Sequence, residues 1–209
     1  EANISYRGLF PEAFRAGERF NPAPDDWFLT ERKALDLTHE WQIRPGASLH
    51  SIFYWSEMNR DYWRFQLNSD APTRINENGF RVWNFSDEVQ GNNRSFTRFG
   101  ADTRLTLDHE TFGRLNASEF GIRIMEEEML DQTIRADRAT PRNPNGALQR
   151  NRLDSAVSLA LFAQNRVDLT EAFAVTAGVR VETYEQKRED LRRDAPADRF
   201  SNTEVMPGL

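Results

Sequence analysis

From Ser158 to Gln186 the chain reads SLALFAQNRVDLTEAFAVTAGVRVETYEQ, and it alternates almost without a break. Val157, Leu159, Leu161, Ala163, Val167 and Leu169 fall on one parity, and Ser158, Gln164, Arg166 and Asp168 on the other. After a short polar step, Phe173, Val175, Ala177, Val179 and Val181 resume the pattern against Thr176, Arg180 and Glu182. A period of two belongs to β-strands, whose successive side chains point to opposite faces. The stretch therefore predicts a hairpin turning near Glu171, with one apolar face and one charged face.

Two earlier segments repeat the plan. Arg32 to Ile43 turns at Arg44-Pro45-Gly46 into Ser48 to Leu67; Pro fixes φ and Gly accepts positive φ, so this pair predicts a tight turn. Thr97 to Leu107 turns through Asp108 to Arg114, near Glu110, and returns along Asn116 to Glu128. Between the hairpins, Asn68 to Asn93, Asp131 to Asn151 and Lys187 to Asn202 read as long loops rich in Asn, Pro, Gly and charge. The first thirty residues belong with them, with one helical turn expected at PEAFRA, and the closing NTEVMPGL reads as the start of another strand. Pattern alone counts about six full strands.

All short turns fall at one end and all long loops at the other, which is the asymmetry of an outer-membrane barrel. Strand length agrees: soluble strands centre on ~5–6 residues, whereas a tilted strand needs ~9–11 to cross a bilayer. The apolar parity is expected to stay free of charge through the membrane, and Trp41, Trp55, Trp63, Tyr54 and Tyr62 to sit toward strand ends at the headgroup boundary. The expected fold is all-β: antiparallel up-and-down hairpins forming part of a transmembrane β-barrel wall, with residues 1–209 as one partial barrel domain.

Composition is compatible with this reading. Among 209 residues, 38% are hydrophobic and 29% charged, and no apolar run reaches the ~18 residues of a membrane helix. A barrel needs only alternate residues apolar. The formal charge of −6 argues against a nucleic-acid partner, and the absence of cysteine removes disulfides and thiolate metal sites. The opening EANISYRGLF carries no initiator Met or signal-peptide pattern, so the chain is expected to be an internal piece of a longer protein.

ALFAQNRVDLTEAFAVTAGVRVETYE and the closing NTEVMPGL resemble barrel segments of TonB-dependent outer-membrane receptors. The likeness is carried by Gln164-Asn165-Arg166-Val167-Asp168 before the turn and Gly178-Val179-Arg180 after it. SYRGLFPEAFRAGERF and HEWQIRPGASLHSIFYWSEMNRDYWRF resemble a loop and the following hairpin of the ferric dicitrate branch. The resemblance implies an N-terminal plug inside a barrel of about twenty-two strands, energised through a short N-terminal box by the TonB complex. Neither plug nor box is recognisable here. The implied partners are outer-membrane lipid, the plug of the same parent chain, the TonB complex and a transported ferric chelate; no cofactor is implied.

Candidate sites follow from the two faces. Asp102, Arg104, Glu119, Arg123, Gln164, Arg166, Asp168, Arg180 and Glu182 are expected to face the lumen, as plug contacts or as a charged ladder of cross-strand pairs that fixes register. An anionic chelate calls for Arg with aromatic neighbours, and Arg74, Arg81, Trp83 and Arg94 in the outer loops fit that chemistry. His39-Glu40 and His109-Glu110 lack the second His of a zinc-protease motif, and His50 stands alone. Glu126-Glu127-Glu128 alternate faces on a strand, so they do not converge on calcium. No phosphate loop or nucleophile elbow is present, so no enzyme is expected. The leading expectation is active uptake of a ferric siderophore or ferric citrate-like chelate; the rivals are a passive porin and a secreted β-sandwich adhesin.

Overall fold

In the computed structural model, which describes residues 7–208, a single helical turn α1 (Pro11–Arg15) precedes the strands. They are β1 (Trp27–Arg44), β2 (Ala47–Leu67), β3 (Thr73–Ile75), β4 (Arg81–Trp83) and β5 (Phe85–Thr111). β6 (Arg114–Asp137), β7 (Ala147–Thr170), β8 (Phe173–Asp190) and β9 (Asp198–Gly208) complete the chain. Seven strands form one antiparallel sheet in the order β1-β2-β5-β6-β7-β8-β9, and β3 pairs only with β4.

The turns at Pro45-Gly46, Phe112-Gly113 and Glu171-Ala172 all lie at one end, as the register of neighbouring strands requires. The middle turn is two residues past the expected Glu110. Phe112 and Gly113 have φ of 53° and 67°, the pattern of a type I′ hairpin turn, which matches the twist of the flanking strands. A bulky residue at positive φ is strained. Replacing Phe112 with Asn, which tolerates this region, is expected to slow barrel unfolding, with a gain of about 1 kcal/mol; a faster-unfolding variant contradicts that assignment.

The strands are longer than alternation suggests. Phe85–Asn93, Asp131–Asp137, Ala147–Asn151, Lys187–Asp190 and Asp198–Asn202 are strand where loop was expected, and the strand expected to start at the closing NTEVMPGL is β9, the seventh of the sheet. The reason lies in composition: toward the loop end polar residues fall on both parities, so alternation disappears while pairing continues. Trp55 and Tyr54 lie in the middle of β2, not toward a strand end. At the loop end, Thr140 donates its hydroxyl and backbone N–H to Asp137 at 2.8 and 2.7 Å, holding that carboxyl below its usual value. The resulting stabilisation of the β6–β7 loop is present above the unfolded carboxyl pKa and is lost as pH falls through the folded one.

Register places the apolar parity of all seven strands on one face. One row reads Leu37, Phe53, Ala101, Ile124, Leu159, Thr183, Thr203; the next reads His39, Ser51, Thr103, Ile122, Leu161, Val181, Val205. These apolar side chains are open, with Leu37 63%, Leu161 52% and Val205 64% exposed. A sandwich would cover them with a second sheet, and the β3–β4 pair has only three residues per strand. A face of this extent needs an apolar surrounding. Its polar members bond each other: Thr103 to Ser51 at 3.0 Å, Thr203 to Thr183 at 3.1 Å, Ser118 to Asn165 and Asn165 to Asn116 at 2.8 Å. That is what burial in hydrocarbon demands. The band ends toward the loops where Lys33, Glu57, Glu128, Lys187 and Arg199 share a register row. Glu185 also lies on this face, one row lower, ion-paired with Arg199 at 2.6 Å, so the charge-free stretch of β8 stops before it.

Beyond that edge, the same parity carries a buried cluster of Trp63, Phe65, Val89 and Ile134, with Trp27, Phe85, Ala136 and Leu148 packed against it. Trp63 is therefore core, 2% exposed, and not a headgroup anchor. β1 stops at the Trp27–Trp63 pair, and the next outward-facing backbone groups of β2 are met by side chains: Phe65 N–H donates to Asp26 and Arg7 donates to the Phe65 carbonyl. Residues 7–26 are thereby fastened to the loop end of the sheet.

Candidate functional site

The opposite parity forms the concave face. A trough of about 960 Å³ crosses all seven strands there, lined chiefly by Arg32, Met58, Phe96, Arg98, Met129 and Phe200. All nine residues expected on the charged parity lie on this face: Asp102 opposite Arg123, Arg104 opposite Gly121, Glu119 opposite Gln164, Arg166 opposite Thr176, Arg180 opposite Phe162, Glu182 opposite Ala160 and Asp168 opposite Ala174. Arg104, Gln164 and Arg180 border a second hollow of about 500 Å³.

Their pairing differs from the expected cross-strand ladder. Arg104 binds Asp102 at 2.9 Å, Arg166 binds Asp168 at 3.1 Å and Arg180 binds Glu182 at 2.8 Å, each two residues along one strand. Side chains at i and i+2 share a face, and a long guanidinium stem reaches its neighbour along the strand as readily as across. Arg123 instead donates to Met125 Sδ at 3.4 Å. True cross-strand pairs occur nearer the loops, where Arg98–Glu127 and Asp154–Arg188 are register partners.

Glycines make room for rings on this face. A Cβ on Gly121 would lie 2.0 Å from the ring of Phe162, its register partner, and one on Gly100 would lie 2.4 Å from the Tyr54 hydroxyl. Arg104 lies over the Phe162 ring, 5.5 Å from its centroid. Gly121→Val must push that ring into the hollow, and is expected to cost about 1–3 kcal/mol. Unfolding kinetics of the parent barrel check this; an unaffected rate contradicts the packing described.

The four residues expected to meet solute do not form one site. Arg74, Arg81 and Trp83 lie on the β3–β4 hairpin, but two of them hold the N-terminal segment. Arg81 pairs with Glu12 at 3.1 Å and lies 4.6 Å from the Phe10 ring centroid; Trp83 donates to the Gly8 carbonyl at 3.0 Å and packs on Phe10. The Glu12 carboxyl sits below its usual value, chiefly through its own backbone N–H and, after an opposing effect of burial, through Arg81. Arg74 borders a cavity of about 290 Å³ with Phe20, Asn21, Phe65, Phe85 and Arg138. Arg94 is not in a loop: it lies on β5, on the concave face, and binds Asp131 of β6 at 2.9 Å.

Arg94 belongs to a cluster that alternation did not reveal. One register row runs Arg60, Arg94, Asp131, Arg152 across β2, β5, β6 and β7, and the next toward the loops runs Tyr62, Asn92, Thr133, Arg150. Arg150 reaches Asp131 at 3.0 Å and Thr133 at 3.1 Å. The Asp131 side chain, 9% exposed, is therefore gripped by two guanidinium groups. Among the described residues no group of three or more His, Asp or Glu is placed to hold a metal. No helix is long and apolar enough to cross a membrane, which leaves crossing by strands untouched.

The family described as TonB dependent receptor-like, beta-barrel, matches residues 2–209. The ferric citrate transporter FecA, solved in its unliganded form, superposes with a TM-score of 0.78 at 15% identity, over 96% of this chain and 27% of that one. The ferric-catecholate import receptor Fiu from E. coli K12 in its closed form gives 0.64 at 14% identity, over 91% of this chain and 31% of that one. Its open form gives 0.63 at 14% identity, over 91% and 33%. At these identities the likeness is one of fold, and the chain spans no more than about a third of each receptor. No curated protein matches the chain.

Proposed function

The chain belongs to the TonB-dependent receptor family of β-barrels, and from that membership we propose that it is wall and outer loops of a receptor for active uptake of a ferric siderophore or ferric citrate-like chelate. The observation that carries the reading is the pairing of an exposed apolar band on one face with a charged, ring-lined trough on the other. Such a wall separates hydrocarbon from a polar interior. The fold shared with a ferric citrate transporter and a ferric-catecholate import receptor supports the iron-chelate class.

In this reading the parent protein resides in the outer membrane of a Gram-negative bacterium. The outer loops collect the chelate, a plug from the same parent chain fills the concave side, and the TonB complex supplies the energy that moves the plug. Arg180, which borders the 500 Å³ hollow, and its ion-pair partner Glu182 are the proposed plug contacts, and the remaining residues of the concave set line the solute path. The chemistry is recognition and gated passage, with no covalent step.

The test is iron-limited growth of an outer-membrane receptor-deficient strain carrying the full parent gene. Growth on ferric citrate or a ferric catecholate that requires both the gene and an energised TonB system supports the proposal. Uptake independent of TonB makes the protein a passive porin. A parent that stays soluble and monodisperse without detergent makes it a secreted binding module.

A further inference from the structure

The cluster around Asp131 has an arrangement that stability alone does not favour. Arg60 and Arg94 are directly opposite on β2 and β5, and like charges in register destabilise a sheet. Four arginines, at 60, 94, 150 and 152, surround one aspartate, a net charge of +3 in a chain whose formal charge is −6. Arg94 and Arg150 are satisfied by Asp131. Among the described residues, neither Arg60 nor Arg152 has an ion pair, and the buried Arg60 Nε and Asn92 Nδ2 have no hydrogen-bond partner. Asp190, opposite Arg152 on β8, is occupied by Arg193 at 3.5 Å and by the Arg192 N–H at 3.1 Å. Buried donors left unmade are costly unless something else fills them. The row lies on the concave face, one register step from Met58, Phe96, Met129 and Asp154, which line the large trough.

We propose that Asp131 is a resident carboxylate held in an anion site, and that it yields this site to a carboxylate of the passing solute. Arg60 and Arg152 are the cations that first engage a polycarboxylate entering from the loop end. Arg94 and Arg150 then transfer from Asp131 to the solute. Their fork geometry suits a carboxylate from either source equally. Asp131 keeps the guanidinium groups spaced and neutralised when no solute is present, and it lowers the site's affinity enough for release. This rests on the reading of the concave face as the solute path, and names the solute class: polyanionic, carboxylate-bearing.

The experiment is calorimetric titration of the purified full-length receptor in detergent with iron-free citrate, ferric citrate and a neutral ferric hydroxamate. Arg60→Gln and Arg152→Gln are each expected to weaken binding of both citrate forms by about tenfold or more, with yield of folded barrel unchanged. Arg60→Lys is expected to retain part of the affinity. Asp131→Asn is expected to tighten citrate binding several-fold, because two guanidinium groups lose their internal competitor. Hydroxamate binding is expected to be indifferent to all four. Unchanged citrate affinity in both Gln variants, or weaker citrate binding in Asp131→Asn, overturns the proposal. Citrate binding that needs the arginines in a receptor that imports no iron sustains this site and ends the uptake reading. Chelate uptake that ignores every substitution does the reverse.

Discussion

Trp63→Ala in the parent receptor is expected to release the loop end of the sheet. Trp63 is 2% exposed, and its ring lies against Gly91, where an added Cβ would meet it at 2.8 Å. Removing a buried Trp side chain costs roughly 3–5 kcal/mol through lost burial and the cavity left behind. Phe65, Val89 and Ile134 lose their common neighbour, and Trp27 its register partner. The loss is local, because the membrane-embedded rows of the sheet touch none of these residues. Hydrogen exchange reads it directly: protection at Asp26–Glu31 and along residues 7–25 is expected to fall roughly 10²–10³-fold. Exchange within Ile122–Met125 is expected to stay slow. Unchanged protection at the loop end would mean that the cluster does not hold the N-terminal segment down.

This cluster also marks where the sequence stopped being legible. The Val157–Val181 hairpin could be read because lipid on one side and a polar interior on the other impose a period of two. Along Phe85–Asn93 that contrast is gone: Val89 and Gly91 face the buried cluster, while Glu88, Gln90 and Asn92 face the trough side. Asn and Gly then read as loop although the ladder continues through them. The arginine row was hidden for a related reason. Arg94 meets Asp131 only if strands β5 and β6 are counted from Phe112-Gly113. Centring that turn on Glu110 puts Glu126 opposite Arg94 and moves the partner to the other end of the acidic run. The loop arginines failed differently: Arg81 and Trp83 have the chemistry of solute recognition, and they spend it on Glu12, Phe10 and Gly8. No local pattern distinguishes those two uses. The nine residues of the charged parity were legible, because parity alone assigns a face.

Leu161→Arg is the second large effect expected. Leu161 lies between Ile122 and Val181 in one register row, on the exposed apolar face. An arginine facing lipid near mid-depth costs about 2–4 kcal/mol. Gln164 is three residues along the same strand but on the concave face, opposite Glu119 and Gly178, and beside the 500 Å³ hollow. Gln164→Arg is expected to cost far less, since water or polar groups receive the charge. Unfolding in lipid vesicles measures both. A soluble protein with a covered apolar face would also penalise Arg at position 161, so the difference in stability supports the account without isolating it.

The environment of each face is read most directly by fluorescent labels on single cysteines, Leu161→Cys and Gln164→Cys, in the full receptor reconstituted in vesicles; the chain has no cysteine of its own. A lipid-soluble quencher confined to the bilayer core is predicted to quench the label at 161 strongly and to leave that at 164 bright. Quenching at neither position would make the apolar face a protein-covered core, and would contradict a membrane-spanning wall.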